Sequence, residues 1–160
     1  MGMRVFATRR RPHLSHNDSL IEAVWGPGRI PEMLPKCDYV VLATPATTGT
    51  RKLIGEAEIN LMNPHAVLIN IGRGSTVDEA ALVAALQQGR IRGAALDVFE
   101  KEPLPAGHPF YQMKNVLLSP HSADHTPDWR DRALKCFIEN LKRFLTGQPL
   151  ENIVDKEGGY

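Results

Sequence analysis

Three short stretches carry side chains suited to moving a proton beside a bound anion. Residues 70–78 read NIGRGSTVD and set Arg73 between Gly72 and Gly74. Residues 93–102, GAALDVFEKE, end in two carboxylates, Glu100 and Glu102, and residues 115–121, NVLLSPH, end on His121. A guanidinium grips a carboxylate through two parallel hydrogen bonds. An imidazole gives or takes a proton near neutrality, and a carboxylate on its second nitrogen fixes its tautomer and favours its charged form. Each residue also has a plainer explanation: a surface arginine in a glycine-rich turn, a solvated loop glutamate beside Pro103, and a turn histidine after Pro120.

The elements that would position these side chains decide between the two explanations. Apolar runs rich in β-branched residues recur at 3–8 (MRVFAT), 38–44 (DYVVLAT), 66–71 (AVLINI), 93–99 (GAALDVF) and 115–119 (NVLLS). Their continuity predicts strands of a parallel sheet covered on both faces. Helix signals lie between them. Thr76 or Asp78 can cap a helix bearing Leu82 and Leu86, with Gly89 past its end. A second pattern opens at Pro127, carries Trp129, Ala133, Phe137 and Leu141 on one stripe, and stops at Gly147 and Pro149. Strands alternating with helices predict a Rossmann-like, doubly wound α/β sheet, and such sheets bind ligands at the carboxyl ends of their strands. Arginine, carboxylate and imidazole each follow a predicted strand, so all three fall on that edge. Hydride transfer from a hydroxy acid needs this constellation. Residues 9–30 and the proline-rich 100–114 are too irregular to assign.

Composition narrows the field further. The chain has 160 residues, 42% of them hydrophobic, and a net charge of +1, so no bulk field draws it to nucleic acid or membrane. The N-terminus lacks the order of a signal peptide, and no apolar run has membrane-spanning length. Cys37 and Cys136 match no metal-ligand spacing and predict reduced thiols in a cytoplasmic protein. His125 stands four residues after His121, a ligand spacing only on a helix, and Pro127 argues against one there, so no metal is expected. His13, His16, His65 and His108 show no partner pattern and are expected on the surface.

NIGRGSTVDEAALVAAL, GAALDVFEKEPLP and LLSPHSADHT together resemble the D-isomer-specific 2-hydroxyacid dehydrogenases, in the later part of their nucleotide-binding domain. The resemblance implies Arg73 as substrate arginine, Glu102 as carboxylate partner and His121 as acid/base. It implies cofactor contacts from Thr44 and Pro45 in LATPATTGT, from Ile71 and Gly72, and from Asp97 to the nicotinamide amide. A small 2-keto or 2-hydroxy acid is the implied substrate. Glutamate at 102 speaks against the formate dehydrogenase branch, where glutamine pairs with the histidine. Where an acidic residue would grip the adenosine ribose, this chain has Arg9, followed by Arg10 and Arg11, a trio suited to a 2′-phosphate. NADP(H) is therefore favoured over NAD(H). Without interleaved aromatics the trio does not predict a nucleic-acid site.

The chain contains no G-x-G-x-x-G. MGMRVF resembles the second strand of the fold, so residues 1–147 read as an incomplete NAD(P)-binding domain, 148–160 as a tail, and a separate substrate domain as absent. Such a chain is expected to be inactive alone. A sheet lacking its central strand leaves two edges unpaired. Strand 3–8 is then expected to move beside 66–71, or a second copy or a full-length family partner to supply the pairing, making a homodimer or mixed oligomer. Two functions remain: part of a 2-hydroxyacid dehydrogenase, or a non-catalytic dimerisation or regulatory module derived from one.

Overall fold

The computed structural model describes residues 2–15 and 18–158, which leaves His16 outside the described residues. It contains six short strands, β1 Phe6–Thr8, β2 Ala23–Trp25, β3 Tyr39–Leu42, β4 Val67–Asn70, β5 Gly93–Leu96 and β6 Val116–Leu118. Among the described residues there are four α-helices: α1 Ile30–Met33, α2 Glu56–Leu61 and α3 Glu79–Gln87, which lie between successive strands from β2 to β5, and α4 Trp129–Leu145, which follows β6. Every pairing is parallel. β1 pairs with β2, and β3, β4, β5 and β6 form a second sheet in that order. The architecture is the α/β, Rossmann-like one that the apolar runs predict.

β2 is the strand that the sequence pattern missed. Ala-Val-Trp is too short to show a period, and Pro12 and Pro27 interrupt the flanking residues. The expected move of strand 3–8 beside 66–71 does not occur, because β4 already has β3 on one edge and β5 on the other. β1 is instead held to β2 by the Phe6 and Trp25 rings, 5.8 Å apart, and by the exposed Arg4–Glu22 ion pair.

Helices α2 and α3 supply Ile59, Leu82 and Leu86 to a core shared with Val40, Leu42, Leu68 and Leu96. Asp78 Oδ1 accepts from the Ala81 N–H and caps α3, whereas Thr76 lies in the preceding 3-10 turn. Gly89 ends the helix at φ +63°, a conformation that suits glycine. Burial on both sheet faces, expected from the unbroken apolar runs, holds only in part. β3 buries Val40 and Leu42 and exposes Tyr39 and Val41, and Leu117 of β6 is 71% exposed. One face thus packs on α2 and α3 while apolar side chains stand free on the other. Helix α4, which starts two residues beyond Pro127, buries none of its residues, and Phe137, Leu141 and Phe144 of its stripe are exposed. No helix among the described residues is long and apolar enough to cross a membrane.

Candidate active site

Arg73 stands between two glycines because neighbouring strand ends press on both sides of it. A Cβ on Gly72 would lie 2.7 Å from the Thr44 carbonyl oxygen, after β3, and one on Gly74 would lie 1.9 Å from the Phe99 carbonyl carbon, after β5. No side chain fits either gap. The turn itself is held by the buried Asn70, whose Oδ1 accepts from the Gly72 N–H at 3.1 Å and whose Nδ2 donates to the Arg73 carbonyl at 3.0 Å. Thr76 Oγ1 donates to the same carbonyl at 2.6 Å. The guanidinium remains at the strand edge, donating to its neighbour, the Gly72 carbonyl, at 2.7 Å.

The two other predicted groups meet directly. Glu102 Oε2 lies 2.7 Å from His121 Nδ1, while Glu102 Oε1 accepts from the Phe99 N–H at 2.9 Å. The imidazole proton therefore sits on Nδ1, leaving Nε2 for chemistry. Burial disfavours the charged form of Glu102. The hydrogen bonds from His121 and Phe99, with the charges of His121 and Arg73, outweigh it and hold the carboxyl below its ordinary range. Glu100, the other candidate in EKEP, faces solvent and pairs with Arg51 at 3.4 Å.

Asp97 anchors the His121 turn. Only 4% exposed, its carboxylate accepts from Ser119 Oγ and from the Ser122 and Ala123 N–H groups at 2.9 Å, and its carbonyl accepts from the His121 N–H at 2.8 Å. Burial raises its pKa, but these donors and the nearby His121 prevail, and the carboxyl is held low. The hold matters because His121 has φ +52°, a left-handed conformation that costs a non-glycine residue about 1 kcal/mol or more. Ser119 and Asn70 were not singled out in the sequence, where each is one polar residue at the end of an apolar run.

Two cavities flank this edge. One of about 640 Å³ touches Glu102 and His121 and is walled by Phe99, Leu104, Tyr111 and Leu118. The other, about 650 Å³, lies between the end of β1 and the end of β3 and is lined by Arg9, Arg10, Arg11, Thr44 and Pro45. Four of the expected cofactor residues thus share one cavity, while Ile71, Gly72 and Asp97 lie outside its lining. Thr44 Oγ1 is buried there without a hydrogen-bond partner among the described residues. An orphaned hydroxyl beside arginines fits a phosphorylated, hydroxyl-bearing ligand such as a dinucleotide. His125 stacks on Trp129 at 5.6 Å. His108, expected on the surface, is instead partly buried against Phe110 and Glu79.

Comparison with known proteins gives this geometry a lineage. Residues 1–123 match the profile described as "D-isomer specific 2-hydroxyacid dehydrogenase, NAD binding domain". The glyoxylate reductase of Aeropyrum pernix is 46% identical over 126 residues, which cover 79% of this chain and 38% of that protein. Glyoxylate/hydroxypyruvate reductase B of Yersinia pestis is 39% identical over 158 residues, 98% of this chain and 47% of that one. The crystal structure of an NADPH-dependent glyoxylate/hydroxypyruvate reductase from Sinorhizobium meliloti, in complex with NADP and sulfate, superposes with a TM-score of 0.86 at 31% identity, covering 99% of this chain and 50% of that one. The chain therefore spans less than half the length of these curated relatives. It belongs to the D-isomer specific 2-hydroxyacid dehydrogenase family, and the match falls on the NAD binding domain of that family.

Proposed function

We propose that this chain supplies the proton-transfer and cofactor-holding part of an NAD(P)-dependent reductase of small 2-keto acids. The observation that carries the reading is the 2.7 Å Glu102–His121 contact, with the charge of Arg73 felt at the same carboxylate. Arg73 binds the substrate carboxylate and polarises the C2 oxygen. His121 Nε2 donates a proton to that oxygen in reduction and accepts it in oxidation, while Glu102 keeps the second nitrogen protonated and stabilises the imidazolium. The nicotinamide cofactor supplies or accepts the hydride. Thr44 and Pro45 would line its ribose side, and Arg9 and Arg10 would meet a 2′-phosphate, favouring NADP(H) over NAD(H). Ile71 and Gly72 would face the same ligand beyond the cavity. Asp97 would meet the nicotinamide amide only with the oxygen capacity that its three donors leave.

The test is a chimera in which this chain replaces the matching stretch of the Yersinia pestis glyoxylate/hydroxypyruvate reductase B, which aligns over 158 residues. With glyoxylate or hydroxypyruvate, Arg73→Ala should lower turnover about 100-fold or more while leaving NADPH affinity unchanged. Equal loss of turnover and cofactor affinity would contradict the role given to Arg73. In a parallel titration, Arg9→Ala should weaken NADPH more than NADH.

A second reading, a non-catalytic module that associates with another polypeptide, is favoured by the uncovered apolar stripe of α4 and the open sheet face. The two readings are compatible, since a homodimer or a full-length family partner would cover the same surfaces. Sedimentation of the chain decides whether it associates with itself.

A further inference from the structure

We propose that Glu79 is a positioning residue for the Glu102–His121 pair, an inference that rests on reading this pair as the acid/base of the site. Glu79 is the first residue of α3, directly after the cap Asp78. Its Oε1 accepts from the Glu100 N–H at 2.5 Å. The preceding amide, the Phe99 N–H, donates to Glu102 Oε1 at 2.9 Å. Two consecutive peptide N–H groups are therefore held by two carboxylates, and one of these carboxylates orients the imidazole.

The second oxygen of Glu79 reaches the far end of the same loop. Glu79 Oε2 lies 3.8 Å from His108 Nε2, with the two side chains only 16% and 19% exposed. His108 Nδ1 accepts from the Phe110 N–H at 3.3 Å, so the ring proton is on Nε2 and faces the carboxylate. The His108 ring packs on Phe110, 4.6 Å between centroids, and Phe110 is fully buried. Glu79 thus ties the start of residues 100–108, through the Glu100 N–H, to a helix that begins six residues after Arg73, and its second oxygen lies near His108 at the other end. The contact between Gly74 and Phe99 closes the other side of this bracket. Glu79 does not line the cavity beside the pair and acts only through Glu102. A shift of about 1 Å in a catalytic group costs about 100-fold in rate, so the bracket is a requirement of the chemistry rather than an ornament of the fold.

The test is nitrogen NMR of His121 in the 160-residue chain, which reports directly on the fraction of Nδ1–H tautomer, together with the melting temperature. Glu102→Ala defines the signal of an unpartnered imidazole. Glu79→Ala is expected to move His121 to that signal, and Glu79→Gln, whose amide oxygen can still accept from the Glu100 N–H, is expected to restore it. Asp78→Ala removes the helix cap and leaves the Glu79 bonds, so it should lower the melting temperature without moving the His121 signal. If Glu79→Ala fails to fold, Glu79→Asp, which keeps the charge but loses reach, gives the same readout. A wild-type His121 signal in folded Glu79→Ala or Glu79→Asp overturns the proposal while sparing the pair. A His121 signal that does not respond to Glu102→Ala overturns the reading of the pair, and the proposal with it.

Discussion

The carboxyl edge of the four-stranded sheet and helix α4 have opposite surroundings. At the edge, Asn70, Asp97 and Glu102 each hold backbone N–H groups or carbonyls of the turns that present Arg73 and His121, and glycines let those turns touch. Side chains there have one place to be. Along α4 the helix is regular for 17 residues, yet none of its residues is buried, and Phe137 is 63% exposed. Local pattern alone suffices to specify a helix. Position relative to other groups requires partners, and the turns of the sheet edge have buried ones.

The largest effect is expected where the comparison is sharpest. Gly74→Ala would drive a Cβ into the Phe99 backbone, and neither strand end can yield without moving its neighbours, so a loss of about 3 kcal/mol in stability by urea unfolding is expected. Replacing Asp97 by Asn is next. The amide keeps one acceptor oxygen but sets an NH₂ against donors, and a loss of about 2 kcal/mol is expected.

Acid acts on the same residues. Asp97 and Glu102 titrate below their ordinary range in the folded chain, so the unfolded chain takes up protons first as pH falls. Their contribution is complete above the unfolded values, about pH 4, and is lost as pH falls through the lower folded values. Asp97→Asn should flatten that decline in stability measured across the acid range. At the other extreme, Phe137→Ser should change the stability of the isolated chain by less than about 0.5 kcal/mol, because that ring is 63% exposed. A large loss would mean that α4 is covered in solution, and a shift in sedimentation would show by what.

Much of the edge is legible in sequence for a specific reason. Apolar runs mark strand ends, and parallel strands point their carboxyl ends the same way, so Arg73, Glu102 and His121 could be brought together without knowing a distance. Choosing between Glu100 and Glu102 on the residues alone was not possible. Both follow the run, and only the backbone turn decides that Glu102 reaches His121 while Glu100 meets Arg51. Polar residues whose partners are distant in sequence, such as Glu79 with His108 and Ser119 with Asp97, leave no periodic trace. The open face of the sheet was invisible for the opposite reason: Tyr39, Val41 and Leu117 are apolar and read as core, but each is more than half exposed.

The most direct measurement is the single-turnover reduction of glyoxylate by NADPH in the chimera, comparing the wild-type sequence with His121→Ala. The variant is expected to bind cofactor normally and to lose about 100-fold to 10,000-fold in rate, with Glu102→Ala falling between the two. A His121→Ala rate within about twofold of wild type would contradict the assignment of proton transfer to this edge.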